Sequence, residues 1–344
     1  MKRGYMAWNK ELLTPEAMKG RRAKLAELMR EKNLSCVVVY GDVSTADELQ
    51  YLTNLHPYWF HATAIFSRDG CFKFVTGLTN RVNPWICQLT GVTEDRITGA
   101  SYRILDVAAQ TASETAQGGK VGYAGRYTPY ALVRKITDTG CEAVCIQDSI
   151  DEIMSAQDSG YIETVKEGAE ILSKAFGTVI GRHGRSETSL QAAADLEYEC
   201  RKGRCMDFII MEAGKPLIFQ SPGMSRDKNE PWTFLVYMQH LGQWVAAARN
   251  MNPDISDEAL EKALAAAASG LKPGSRVGAR RDGRIEVRYN TNLRSDYMIW
   301  AEGEEFECCD SQIVLLTAED PESGLFRQDM YAMTPEGGKR LTNI

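Results

Sequence analysis

One stretch restricts the fold more than any other: Asp207–Met251, DFIIMEAGKPLIFQSPGMSRDKNEPWTFLVYMQHLGQWVAAARNM. Two apolar runs, Phe208–Met211 and Phe234–Met238, flank a loop rich in Gly, Pro, Ser, Asn and charge. A third run, Trp244–Ala248, follows Gly242, so the pattern spells strand, long loop, strand, tight turn, strand. Three adjacent strands of this kind need a sheet to lie in, and the rest of the chain must supply it.

Upstream, the chain alternates helices and strands. Arg21–Asn33 reads as a helix with Leu25, Leu28 and Met29 on one face, and Cys36–Tyr40 (CVVVY) follows as a buried strand. Ala64–Phe66 and Phe72–Thr76 flank an Arg-Asp-Gly turn. Lys120–Gly125, a helix over Thr128–Asp138 and a strand over Glu142–Ile146 complete an α/β domain. Ile162, Val165, Ala169, Leu172, Phe176 and Val179 recur at spacings of three and four, giving a long helix over Asp151–Gly181. Ser186 caps a second helix running to about Cys200. A third starts near Ser256 and stops at Gly270. Strands are expected at Ile285–Arg288, Tyr297–Trp300 and from Ile313 onward.

Composition matters here for what it excludes. A net charge of −6 with no Lys/Arg run offers no field for nucleic acid, and no apolar segment approaches a membrane span. The amino-terminal MKRGYMAWNK has a basic start but no apolar core, so a cytoplasmic protein is expected. Nine cysteines include adjacent Cys308-Cys309 but no CxxC pair, and there are four histidines. Small buried thiols are the expectation, rather than a zinc site or redox chemistry.

Taken in order, these segments resemble the creatinase, aminopeptidase P and prolidase family. The helix followed by CVVVY, Gln50-Tyr51-Leu52-Thr53, the Ala213-Gly214 turn, Leu271–Gly274 (LKPG) and the closing RQDMYAMTPEGGKRLT carry the likeness. It implies an α/β amino-terminal domain over residues 1–155, followed by an α+β pita-bread domain over 156–344. It also implies a homodimer in which the Tyr58–His61 segment reaches the partner; core packing of those aromatics is the alternative.

Hydrolytic members of that family bind two divalent metals through two Asp, one His and two Glu. Carried over residue by residue, the first Asp falls at Leu235–Tyr237, the second near Ala246 and the His among residues 290–292. Glu319 can meet the first Glu, and Gln328 stands at the last. Two hard cations need several anionic oxygens, so neither a metal nor any other cofactor is expected. Creatinase moves protons through a metal-free histidine. Here that position holds Gln220, which cannot exchange a proton near neutral pH.

The remaining candidates for catalysis are His240 at a strand end, Glu212 and Glu319. For binding a small polar molecule they are Gln220, Arg249 and Gln328. A lone histidine is more commonly a turn residue, and a strand-end carboxylate is commonly solvated. Two functions follow: a metal-independent hydrolase cleaving a C–N bond in a small amide, guanidino compound or amino-acid derivative, or a non-catalytic member of the fold that binds a small ligand or a protein.

Overall fold

The computed structural model describes residues 7–155, 157–183, 189–223, 229–291, 305–309 and 312–343. Two compact units divide the chain, Met1–Gly160 and Tyr161–Ile344.

The first unit runs α1 (Pro15–Glu31), β1 (Cys36–Asp42), α2 (Asp47–Thr53), β2 (His61–Ser67), β3 (Phe72–Thr76), α3 (Asn83–Thr90), β4 (Ile97–Gly99), α4 (Ile104–Ala116), β5 (Val121–Ala124), α5 (Tyr130–Asp138), β6 (Ala143–Cys145) and α6 (Gln147–Ser155). Its six strands lie in the order β4-β3-β2-β1-β5-β6. β1 pairs antiparallel with β2 and parallel with β5, so the sheet is mixed. Helix α1 begins earlier than its apolar face suggests. Thr14 Oγ1 accepts from the Ala17 amide at 3.1 Å and Pro15 opens the first turn, a cap the apolar spacing alone does not reveal. Tyr58, Trp59 and Phe60 are 39%, 64% and 44% exposed, so they are not core.

The second unit begins in the first turn of α7 (Ser159–His183), so the long helix expected over Asp151–Gly181 is two helices, α6 and α7. It continues with α8 (Leu190–Lys202), β7 (Cys205–Ala213), β8 (Thr233–His240), β9 (Gln243–Asn250), α9 (Glu258–Ala268), β10 (Arg276–Val277), β11 (Arg280–Asp282), β12 (Ile285–Asn290), β13 (Phe306–Glu307), β14 (Ile313–Asp320), β15 (Leu325–Thr334) and β16 (Gly337–Arg340). The expected cap at Ser186 and the strand at 297–300 lie outside the described residues. Strands order as β11-β12-β14-β15-β9-β8-β7, with β16 beside β15 and every pairing antiparallel. Leu241 and Gly242 both have positive φ, 43° and 87°, which is the turn geometry that closes β8 onto β9 in two residues.

Side chains alternate across a strand, so register assigns every residue a face. Helices cover one face. A Cβ on Gly168 of α7 would meet Val245 Cγ2 at 2.6 Å and His240 Cβ at 3.1 Å. Leu260 and Leu264 of α9 pack in one cluster with Val287, Leu316 and Tyr331. The other face is read along its rows. Arg288, Thr317, Gln328, Ala248, Leu235 and Met211 are successive cross-strand partners, and Tyr237 pairs with both Ala246 and Ile209.

Candidate functional site

Most of the positions carried over for metal ligands fall on the face away from the helices; Val236, inside the span for the first Asp, alternates onto the helix face, and residue 292 lies outside the described residues. Leu235 and Tyr237 sit on β8, Ala246 on β9, Asn290 on β12, Glu319 on β14 and Gln328 on β15. Such convergence of five strands is what a metal-binding fold would produce. The side chains do not fit the group. Leu235 and Ala246 have no exposed surface and no donor atom, and Gln328 is a neutral amide. Among the described residues, no group of three or more His, Cys, Asp or Glu comes together to hold a metal ion. One carboxylate cannot offset the charge of two divalent cations.

A hydrogen-bonded patch occupies the middle of this face instead. Gln328 donates through Nε2 to Thr317 Oγ1 at 2.9 Å. The buried Tyr237 hydroxyl is pushed up to about 12, chiefly by desolvation, with a hydrogen bond to Gln328 opposing. Charge gathers at one edge. Arg288 bonds Glu286 at 2.7 Å and Glu319 at 3.2 Å. Burial raises the Glu319 carboxyl above its ordinary value, with Arg288 pulling the other way. The Arg288 hydrogen bond lowers Glu286. Arg288 therefore favours the ionised form of both carboxylates, and only the more buried one ends above its normal range. The loop after β7 lies against this edge: Phe219 meets Phe326 edge-on, with centroids 4.8 Å apart.

The six residues singled out from the sequence do not form one site. Glu319 and Gln328 share the face just described. His240, Glu212 and Arg249 lie on the helix face, since His240 pairs with Gln243 and Glu212 and Arg249 both pair with Phe234. Gln220 bridges Glu212 through its backbone, which directs it the same way. His240 Nε2 is 3.1 Å from Glu167 Oε2 on α7. Burial lowers its pKa, against the pull of Glu167. That makes it a packed helix–sheet contact, not a group facing the metal positions.

Arg249 is committed elsewhere as well. It donates to the Gln328 carbonyl at 2.6 Å, to the Ala248 carbonyl at 2.8 Å, to the Thr342 carbonyl at 2.6 Å and to the Asp329 carboxylate. Asp329 also takes Arg327 and Arg340 at 3.1 and 3.0 Å, and Thr342 Oγ1 at 2.6 Å. Desolvation lowers Arg249 to about 10, so it stays cationic at neutral pH. This buried knot ties β9, β15 and the carboxy-terminal segment together.

The sequence reading passed over Gln239, Trp244 and Thr317, and named Tyr237 only as the end of the span for the first Asp. Strand alternation counted from Leu235 and Ala246 would have found Gln239 and Trp244.

No family model matches the sequence, and no curated protein matches it. Solved structures do match in fold. An Xaa-Pro dipeptidase from Bacillus anthracis superposes with a TM-score of 0.73 at 14% identity, covering 95% of this chain and 98% of that one. The prolidase from Pyrococcus horikoshii OT3 gives 0.72 at 12%, covering 94% and 98%. An X-Pro aminopeptidase from Thermotoga maritima MSB8 gives 0.70 at 15%, covering 94% and 97%. The fold is therefore the two-domain prolidase and aminopeptidase P fold, as the sequence resemblance implies.

Proposed function

We propose that this chain uses the prolidase-type fold to bind a small polar molecule on the face away from the helices, without a dinuclear metal centre and without hydrolysis. One observation supports the reading: Leu235, Ala246, Asn290 and Gln328, which stand at or within the positions carried over for two Asp, a His and a Glu, share that face. Neither leucine nor alanine can contact a cation, and a face rebuilt from amides, a phenol and a hydroxyl suits neutral hydrogen-bonding groups.

A second reading is favoured by Glu319. Burial raises its carboxyl above the ordinary value, the direction that makes a carboxylate a stronger base. In that reading the chain is a metal-independent hydrolase of a C–N bond, and Glu319 removes the proton from an attacking water. A homodimer joined at the exposed Tyr58–Phe60 segment, in the cytoplasm, belongs to both readings.

A panel of creatine-like, N-acyl amino-acid and Xaa-Pro compounds tests them, screened first by thermal shift and then for product by mass spectrometry. Binding without product, weakened by Gln328→Met, supports the first. Product that disappears in Glu319→Gln, with binding retained, sinks it and establishes the second.

A further inference from the structure

At the hairpin end of the same face, Gln239 of β8 and Trp244 of β9 are direct cross-strand partners. They are 1% and 2% exposed. Among the described residues, neither amide atom of Gln239 has a hydrogen-bond partner, nor does Trp244 Nε1. A buried polar atom left unpaired keeps the full cost of its lost hydration, so native proteins almost always pair it with protein, water or ligand. Three such atoms lie on this one adjacent cross-strand pair.

Register adds to the observation. His240 and Gln243 close the two-residue turn, so the next pair inward, Gln239 and Trp244, is of the kind whose side chains approach most closely. Past Trp244, this face of β9 continues with the fully buried Ala246 and Ala248, which carry no polar side-chain atom to pair with either residue. On the other side of Gln239 lies its β7 partner Asp207. Its Oδ1 accepts from the Phe208 amide at 3.0 Å, which ties the carboxylate to its own strand.

We infer that Gln239 and Trp244 form a recognition element for a neutral carboxamide or ureido group. Such a group offers an acceptor to the indole and to the glutamine NH₂, and a donor to the glutamine carbonyl, which fills the three open valences without bringing a charge into a buried site. The inference rests on the binding reading above and gives it a ligand class. A pair of ordered waters is the competing occupant.

Acetamide, acetate and acetamidinium have one shape and charges of zero, minus one and plus one, so they separate the outcomes. The full chain is labelled with ¹⁵N-tryptophan. The Trp244 indole N–H signal, assigned by its loss in Trp244→Phe, is followed during titration with each probe alongside the thermal midpoint. Acetamide should move the indole signal saturably, with the two ions weaker by roughly tenfold or more. Gln239→Met, which leaves the indole as a fold reporter, should weaken acetamide by a similar factor.

Three results overturn the inference. An indole signal deaf to all three probes, with Gln239→Met raising the midpoint, means hydrated orphan groups only. Acetamidinium binding best means that Asp207 dominates. Acetamide stabilisation that is lost in Gln328→Met but indifferent to Gln239→Met keeps the proposed function and removes this element from it.

Discussion

Arg249 distinguishes most sharply between a residue that holds the fold and one that holds a ligand. Arg249→Met keeps the unbranched stem and deletes the guanidinium, removing donors to three carbonyls and to Asp329. Breaking a buried ion pair from one side typically costs about 3–5 kcal/mol, because the other charge is left uncompensated. Asp329 is not left bare, since Arg327, Arg340 and Thr342 still reach it. The loss should therefore fall near the lower figure, about 3 kcal/mol, which is roughly a hundredfold in an equilibrium constant. Asp329→Asn should cost more, about 5 kcal/mol, because it leaves Arg249, Arg327 and Arg340 facing one another around a neutral amide. Native-state hydrogen exchange at the β9 and β15 amides reads the second unit directly. Protection there should fall about a hundredfold in Arg249→Met and further in Asp329→Asn. Unchanged protection in Arg249→Met, with ligand-induced stabilisation abolished, would refute the structural role and restore Arg249 as a binding residue.

His240 gives a pH signature. Burial places its folded pKa below the unfolded value of about 6.5, so between the two the unfolded chain binds a proton that the folded chain does not. Stability from this group is complete above about pH 6.5 and is lost as pH falls toward the folded pKa. His240→Asn should flatten the urea midpoint between roughly pH 7 and 5 relative to the parent, and a parallel profile would contradict the assignment. Gly168→Ala should destabilise by about 1–3 kcal/mol despite better helix propensity, because the new methyl would press on Val245 and His240; equilibrium denaturation checks it. Light scattering should show a dimer that Trp59→Ser weakens, since Trp59 is 64% exposed.

Much of the fold is legible in the sequence because the apolar pattern has the right period. Phe72–Thr76 is read at its observed bounds, and the β7–β8–β9 pattern in the right order. Boundaries fail where a cap decides them. Thr14 and Pro15 open α1 ahead of its first apolar face residue, and the stripe from Ile162 onward does not reveal that α6 ends at Ser155 and α7 starts at Ser159. The site is less legible for a more specific reason. His240 is five residues from Leu235 and Arg249 is three from Ala246, both odd offsets, which in a strand means the opposite face. Chemical plausibility drew attention to a histidine and an arginine, while alternation pointed to Tyr237, Gln239 and Trp244. Nor does the sequence show that Arg249 is consumed by Asp329, because that pairing joins strands eighty residues apart.

Metal content tests the central claim most directly. Protein purified without added metal, then incubated with manganese, cobalt or zinc and desalted, is measured by plasma emission spectrometry. Leu235, Ala246 and Gln328 at three of the five ligand positions predict far less than one equivalent of any of these metals, and no change in thermal midpoint on chelation. Two equivalents retained through desalting, with a midpoint that falls when they are removed, would contradict the account.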